Sequence, residues 1–274
     1  MSTLLIPLVS TGNVSQLCVD LVLHSNSEEF QFVKELGSIW LHSFLGPLDF
    51  VDGSSKPLYH ECKNSGKRFT TPIELFYNKR LDLYVLQQRS PIISGYENQF
   101  FKEVIIPLVD ELNIASIVVL DSAGALDPSV PFSGINYQNL FATARCQLES
   151  LDSIALQLQT RLSIQDDEQS LVNKIFHFDA ASFQHSFSVD QPVFKLFHHL
   201  LHNQSGSSRS LKNVTYLSKI VHEGDNSWDA FQTCEKLAEL IPNLVNGQLT
   251  TPVSWKGVYG ARPIALGFEK GLYS

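Results

Sequence analysis

The sequence predicts an α/β fold: a single α/β sandwich-type domain over residues 1–262, a central mixed sheet with helices on both faces, and a flexible C-terminal tail over 263–274. Leu4-Leu5-Ile6-Pro7-Leu8-Val9 and Ile117-Val118-Val119-Leu120 are unbroken apolar runs, the mark of strands buried on both faces. Between and after them lie segments with apolar residues three and four apart, the period of a helix with one buried stripe. With 274 residues, 43% of them hydrophobic, the chain can bury one large core.

The elements follow in order. Leu4–Val9 reads as the first strand, turned by Gly12-Asn13 into a helix whose apolar positions are Val14, Leu17, Cys18, Leu21 and Val22. Asn13 is its expected N-cap, with Gln16 at the capping-box position. Ile39 to Leu45 reads as a strand closed by Gly46-Pro47, and Lys56 to Gly66 as a polar loop. Ile73–Tyr77 and Leu83–Gln87 flank Asn78-Lys79-Arg80 as a hairpin. From Gly95 an amphipathic helix carries Phe100, Phe101, Val104, Ile105, Leu108, Val109 and Leu112 on one face, and Pro107 should kink or interrupt it. Ile117–Leu120 is the next strand. Ala125 to Asn139, rich in Pro, Gly, Ser and Asn, reads as a long loop, and Leu148, Leu151, Ala155, Leu158 and Leu162 as the stripe of a surface helix. Asp166–Phe178 and Pro192–His202 read as helices, Asn203–Ser210 as a polar linker, and Asn213–Val221 as a strand. Trp228, Phe231, Cys234, Leu237, Ala238 and Ile241 mark a helix stopped by Pro242, and Val253–Tyr259 is the expected last strand.

Composition narrows the function. The net charge is −8 and no basic cluster is longer than a pair such as Lys67-Arg68, whereas binding to phosphate backbones needs a basic stripe, so nucleic acid is not an expected partner. The N-terminus has neither a basic region nor an apolar run of signal or membrane-spanning length, so a cytoplasmic or nuclear protein without a membrane partner is expected. Cys18, Cys62, Cys146 and Cys234 form no C-x-x-C pair and read as reduced, mostly buried thiols. In that compartment the sequons at Asn13, Asn203 and Asn213 carry no glycan.

Three patterns touch on chemistry, and each lacks a necessary part. His198 and His202 share a helical face at metal-ligand spacing, but His199 stands where a zincin needs glutamate, and no acidic third ligand is near in sequence. Ser122 follows a buried strand as a nucleophile does, without the glycine two residues earlier that the strained elbow needs. Gly12-Asn13 lies between strand and helix where backbone N–H groups can meet an anion, without G-x-G-x-x-G or a P-loop lysine. No acid, base and nucleophile converge, so no catalytic residue, metal or cofactor is assigned and a binding protein is expected.

The C-terminus is Leu272-Tyr273-Ser274, behind Gly271. It offers a free carboxylate for a lysine, an aromatic ring with one hydroxyl, and an aliphatic side chain. Such hydrophobic-Tyr-X (HbYX) ends dock between the α-subunits of the 20S proteasome. Ile6 to Val14 with Gln16-Leu17 and Asp20-Leu21, Phe44 to Asp49, Glu74 to Lys79 with Leu86 to Pro91, and Val119 to Ser122 together resemble the proteasome assembly chaperone 2 family in its fungal form. The resemblance covers about the first 125 residues well and 125–210 poorly. It implies a non-catalytic chaperone that pairs with a related first subunit, proteasome assembly chaperone 1, and binds the 20S α-ring through Leu272, Tyr273 and Ser274. It also implies a nucleoside phosphorylase-like core without its active site. The alternative is a small-molecule α/β enzyme of nucleoside phosphorylase-like type that uses the Gly12-Asn13 turn.

Overall fold

The computed structural model describes residues 2–48, 69–124, 141–147, 176–177, 190–202, 211–222, 224–245 and 247–255. Eight strands form one sheet: β1 (Thr3–Pro7), β2 (Phe30–Glu35), β5 (Ile73–Asn78), β6 (Leu83–Gln88), β7 (Ser116–Gly124), β8 (Phe141–Gln147), β9 (Phe176–His177) and β10 (Asn213–Val221). Their order is β2-β5-β6-β1-β7-β10-β8-β9, and β3 (Gly46–Pro47) pairs with β4 (Phe69–Thr70) in a separate ribbon. β6, β1, β7 and β10 run parallel, while β5, β2 and β8 join antiparallel, which makes the sheet mixed as expected.

The apolar run of β1 explains its central place. Leu4 and Ile6 face one core layer and Leu5 the other, and all three are buried. One layer is closed by α2 (Glu97–Phe100), a π-helical turn (Phe101–Ile105), α3 (Ile106–Glu111) and α4 (Pro192–His202), through Phe100, Phe101, Leu196 and Phe197. The other is closed by α1 (Val14–Ser25) and α5 (Ser227–Leu240), through Leu17, Leu21, Ala230 and Leu237. Each fully buried aliphatic side chain contributes about 1.5–3 kcal/mol before chain entropy is subtracted, so both layers are needed to hold strands that are apolar on both sides.

Pro107 acts one turn before its own position. A proline cannot donate to the carbonyl four residues back and its ring crowds that carbonyl. The chain answers with a wider turn in which Ile106 N–H reaches Phe101 O, five residues back, so the helix continues in a shifted register.

Several expectations are corrected. Asn13 does precede α1, but in a left-handed conformation (φ 53°) that makes no side-chain cap, and Gln16 sends Nε2 to Leu8 O at 2.9 Å, so no capping box forms. Ile39–Leu45 is not a strand. Ile39 and Trp40 lie in a turn, Leu41 makes one bridge to Ile92, and the facing segment contains Pro91, which has no N–H with which to extend a ladder. The strand in this region is β2, half exposed at the sheet edge and bulged between Phe32 and Lys34. β8 occupies a segment for which the spacing predicts no element, and Phe176–His177 is strand β9 where the sequence predicts a helix over Asp166–Phe178. Val253–Trp255 is a 3₁₀ turn, not the start of a strand. The loops expected at Lys56–Gly66 and Ala125–Asn139, the helix from Leu148 to Leu162, the linker Asn203–Ser210 and the tail beyond Pro263 lie outside the described residues.

Candidate functional site

In a doubly wound sheet the ends of the parallel strands are where ligands bind. Here the ends of β1, β7 and β10 bring together Ser10, Thr11, Gly12, Ser122 and Asn226. Gly12 has φ +69°, and a β-carbon there would lie 2.3 Å from Asn226 Nδ2. Asn226 is buried, precedes α5, and donates from Nδ2 to Gly224 O at 3.1 Å. A side chain of the protein therefore occupies the space beside the Gly12 turn.

Ser122 is equally committed. Its hydroxyl donates to Thr11 O at 2.6 Å and lies 2.8 Å from Ser10 Oγ, while its N–H meets Ser10 Oγ at 3.0 Å and Asp121 Oδ1 at 2.8 Å. The other oxygen of Asp121 accepts from Tyr216 OH at 2.7 Å. This arrangement ties the turn after β1 to β7 and leaves the Ser122 hydroxyl donating to a main-chain carbonyl. Nearby, the buried Lys219 of β10 puts Nζ 2.6 Å from Gln232 Oε1, 3.3 Å from Asp229 Oδ1 and 4.3 Å from the Phe141 ring centroid. That lysine fastens α5 to the sheet.

Of the α4 histidines, His198 and His199 meet edge to face, with ring centroids 5.8 Å apart. His198 is exposed and stacks on Phe194, with ring centroids 6.2 Å apart, whereas His199 Nε2 lies 3.1 Å from Asn98 Oδ1. Burial, then the charges of His198 and Lys102, lower the His199 pKa. The side chain of His202 lies outside the described residues. Among the described residues no three His, Cys, Asp or Glu side chains are grouped to hold a metal.

A polar cluster that was not singled out in the sequence lies where the described chain ends. Asp20, on α1, accepts from Gln87 Nε2 and from Trp255 Nε1 at 3.4 Å, and sits 3.7 Å from Arg89 Nη1. Trp255 is buried and meets Phe231 edge to face, with centroids 6.4 Å apart. The cluster joins α1, β6 and the 3₁₀ turn, and so fixes the point from which residues 256–274 continue. The one available signal was an aspartate amid the buried apolar positions of α1. Leu272, Tyr273 and Ser274 lie outside the described residues.

Comparison with known proteins gives a consistent picture. The model of the PAC2 family matches residues 4–241. Proteasome assembly chaperone 2 of Saccharomyces cerevisiae is 35% identical over 268 residues, covering 95% of both chains. Among solved structures, Pyrococcus furiosus PbaA, described as an archaeal homolog of proteasome-assembly chaperone, superposes with a TM-score of 0.51 at 13% identity, covering 90% of this chain and 82% of that one. A Thermoplasma acidophilum protein of unknown function superposes with a TM-score of 0.54 at 10% identity, covering 90% and 79%. At such identities the two structures support the fold alone.

Proposed function

The chain belongs to the PAC2 family, and from that premise we propose that it is a non-catalytic proteasome assembly chaperone. The observation that carries this reading is the 35% identity to the yeast chaperone over 95% of both chains. In this reading the protein pairs with a related first subunit, and the pair binds the α-ring of 20S precursors. The end Leu272-Tyr273-Ser274 enters a pocket between α-subunits, with its carboxylate on a lysine, the Tyr273 ring buried and Leu272 on the apolar rim. The uses of Ser122 and Gly12 described above, both taken up by contacts within the fold, support a binding role over turnover.

The test is at the tail. Tyr273→Ala removes ring burial of roughly 2–3 kcal/mol in a dry pocket, and one appended residue displaces the carboxylate while keeping every side chain. Both changes are expected to weaken capture of α-ring intermediates in a pull-down with the melting temperature unchanged. Normal capture by both variants sinks the tail reading.

A further inference from the structure

A groove of about 990 Å³ lies between α5 and residues 245–251, with Phe231, Ala238, Val245 and Leu249 as its apolar lining and Glu235 as its charged group. Phe231 and Ala238 are half-buried and Glu235 is exposed. The helix wall is thus partly covered already, which suits a narrow occupant such as one extended stretch of chain and not the broad face of another protein. The opposite wall is fastened to α1, because Thr250 N–H donates to Ser25 Oγ at 2.8 Å. Thr251 still lines the groove, and four residues later Trp255 is buried with its ring edge to face on Phe231. Residue 256 therefore starts at the Phe231 end of the groove.

We propose that residues 256–262 of this chain fill the groove, with Val258 and Tyr259 on its apolar lining, so that residues 263–274 leave from the Ala238 end of α5. Reach and tethering select this occupant. Phe231 and Ala238 are about 10 Å apart along the helix, and Lys256-Gly257-Val258-Tyr259 spans about 13 Å when extended, so Tyr259 reaches the Ala238 end. A segment joined to the groove's edge by so short a link meets it at an effective concentration on the order of millimolar, which a second copy or another protein at micromolar concentration does not match. Val258 and Tyr259 bring the apolar area, while Gly257 and Gly260 beside them have no side chain to hold the backbone away from α5. Lys256 and Arg262 bracket the pair with the charge that suits Glu235. The inference stands apart from what the last three residues bind.

The test replaces Tyr259 by the photocrosslinker p-benzoylphenylalanine in the full chain, one aromatic ring for another, mixed with an isotopically labelled copy so that links within and between chains are told apart. Irradiation is expected to join position 259 to Glu235, Ala238 or residues 245–251 of the same chain. Links elsewhere in the chain, links to a second copy, or no link overturn the proposal. Hydrogen exchange of the unmodified chain, free of the probe's bulk, is the second reading. Amides of residues 257–261 are expected to exchange at least tenfold more slowly than those of 267–271, and Ala238→Glu is expected to erase most of that difference. Equal exchange of the two stretches in the unmodified chain, or protection that Ala238→Glu leaves intact, overturns the assignment.

Discussion

Gly12 shows how one residue can be read two ways. A glycine between strand and helix is compatible with an anion cradle, but the structure uses its positive φ and missing side chain to admit Asn226. Gly12→Ala is expected to cost about 2–3 kcal/mol, of which about 1–2 kcal/mol is the left-handed backbone and the remainder the collision with Asn226. Adding Asn226→Gly should return the collision part and leave the backbone part, since glycine at an N-cap costs only a few tenths of a kcal/mol. Urea melts of the two single variants and the double variant check this, and strict additivity would contradict the contact. Asp20 and Trp255 were harder to read, because their partners lie 67 and 235 residues away in sequence and no local period encodes such pairings.

At the scale of elements, α1 and α5 meet through two free buried thiols, Cys18 and Cys234. Burial, reinforced by the neighbouring Cys234, raises the Cys18 pKa well above its ordinary value. A raised folded-state pKa means that the stability contribution is whole below the unfolded thiol's value of about 8.5 and is lost as pH rises from there through the folded value. Thermal melts from pH 7 to 10 should show an alkaline decline that is shallower in Cys18→Ala, after allowance for the cavity cost. Equal slopes would remove the thiol from the account. The same elements show what was legible. β1, α1, the β5–β6 hairpin, β7, β10 and α5 announce themselves because each is apolar in a period that matches its burial. Ile39–Leu45 misleads because Ile39 and Leu45, at 78% and 68% exposed, lie outside and only Leu41 is buried, while β2 hides because an edge strand needs only one buried face.

For the whole molecule, the described core ends at Trp255. Removing residues 264–274 is expected to leave the melting temperature unchanged and abolish α-ring capture, whereas Trp255→Ala should cost about 3–5 kcal/mol, as large aromatic truncations in cores do. A truncation that destabilises as much as Trp255→Ala would place the tail in the core and contradict the proposed division of labour. The strand order has a further consequence, in time. β1 is the first strand made, yet its neighbour β7 begins at Ser116, and β10 and α5, which complete its two layers, end at Val221 and Leu240. At about 5–20 residues per second, roughly 12–47 s separate β1 from the end of α5, so Leu5 waits that long for the full cover of its layer although β6 and β7 can pair with β1 earlier. The β5–β6 hairpin can form long before, but no parallel neighbour of β7 on its far side exists until synthesis is nearly complete. The sheet is thus late to close, and until α5 arrives β1 offers Leu5 to holding factors on the nascent chain.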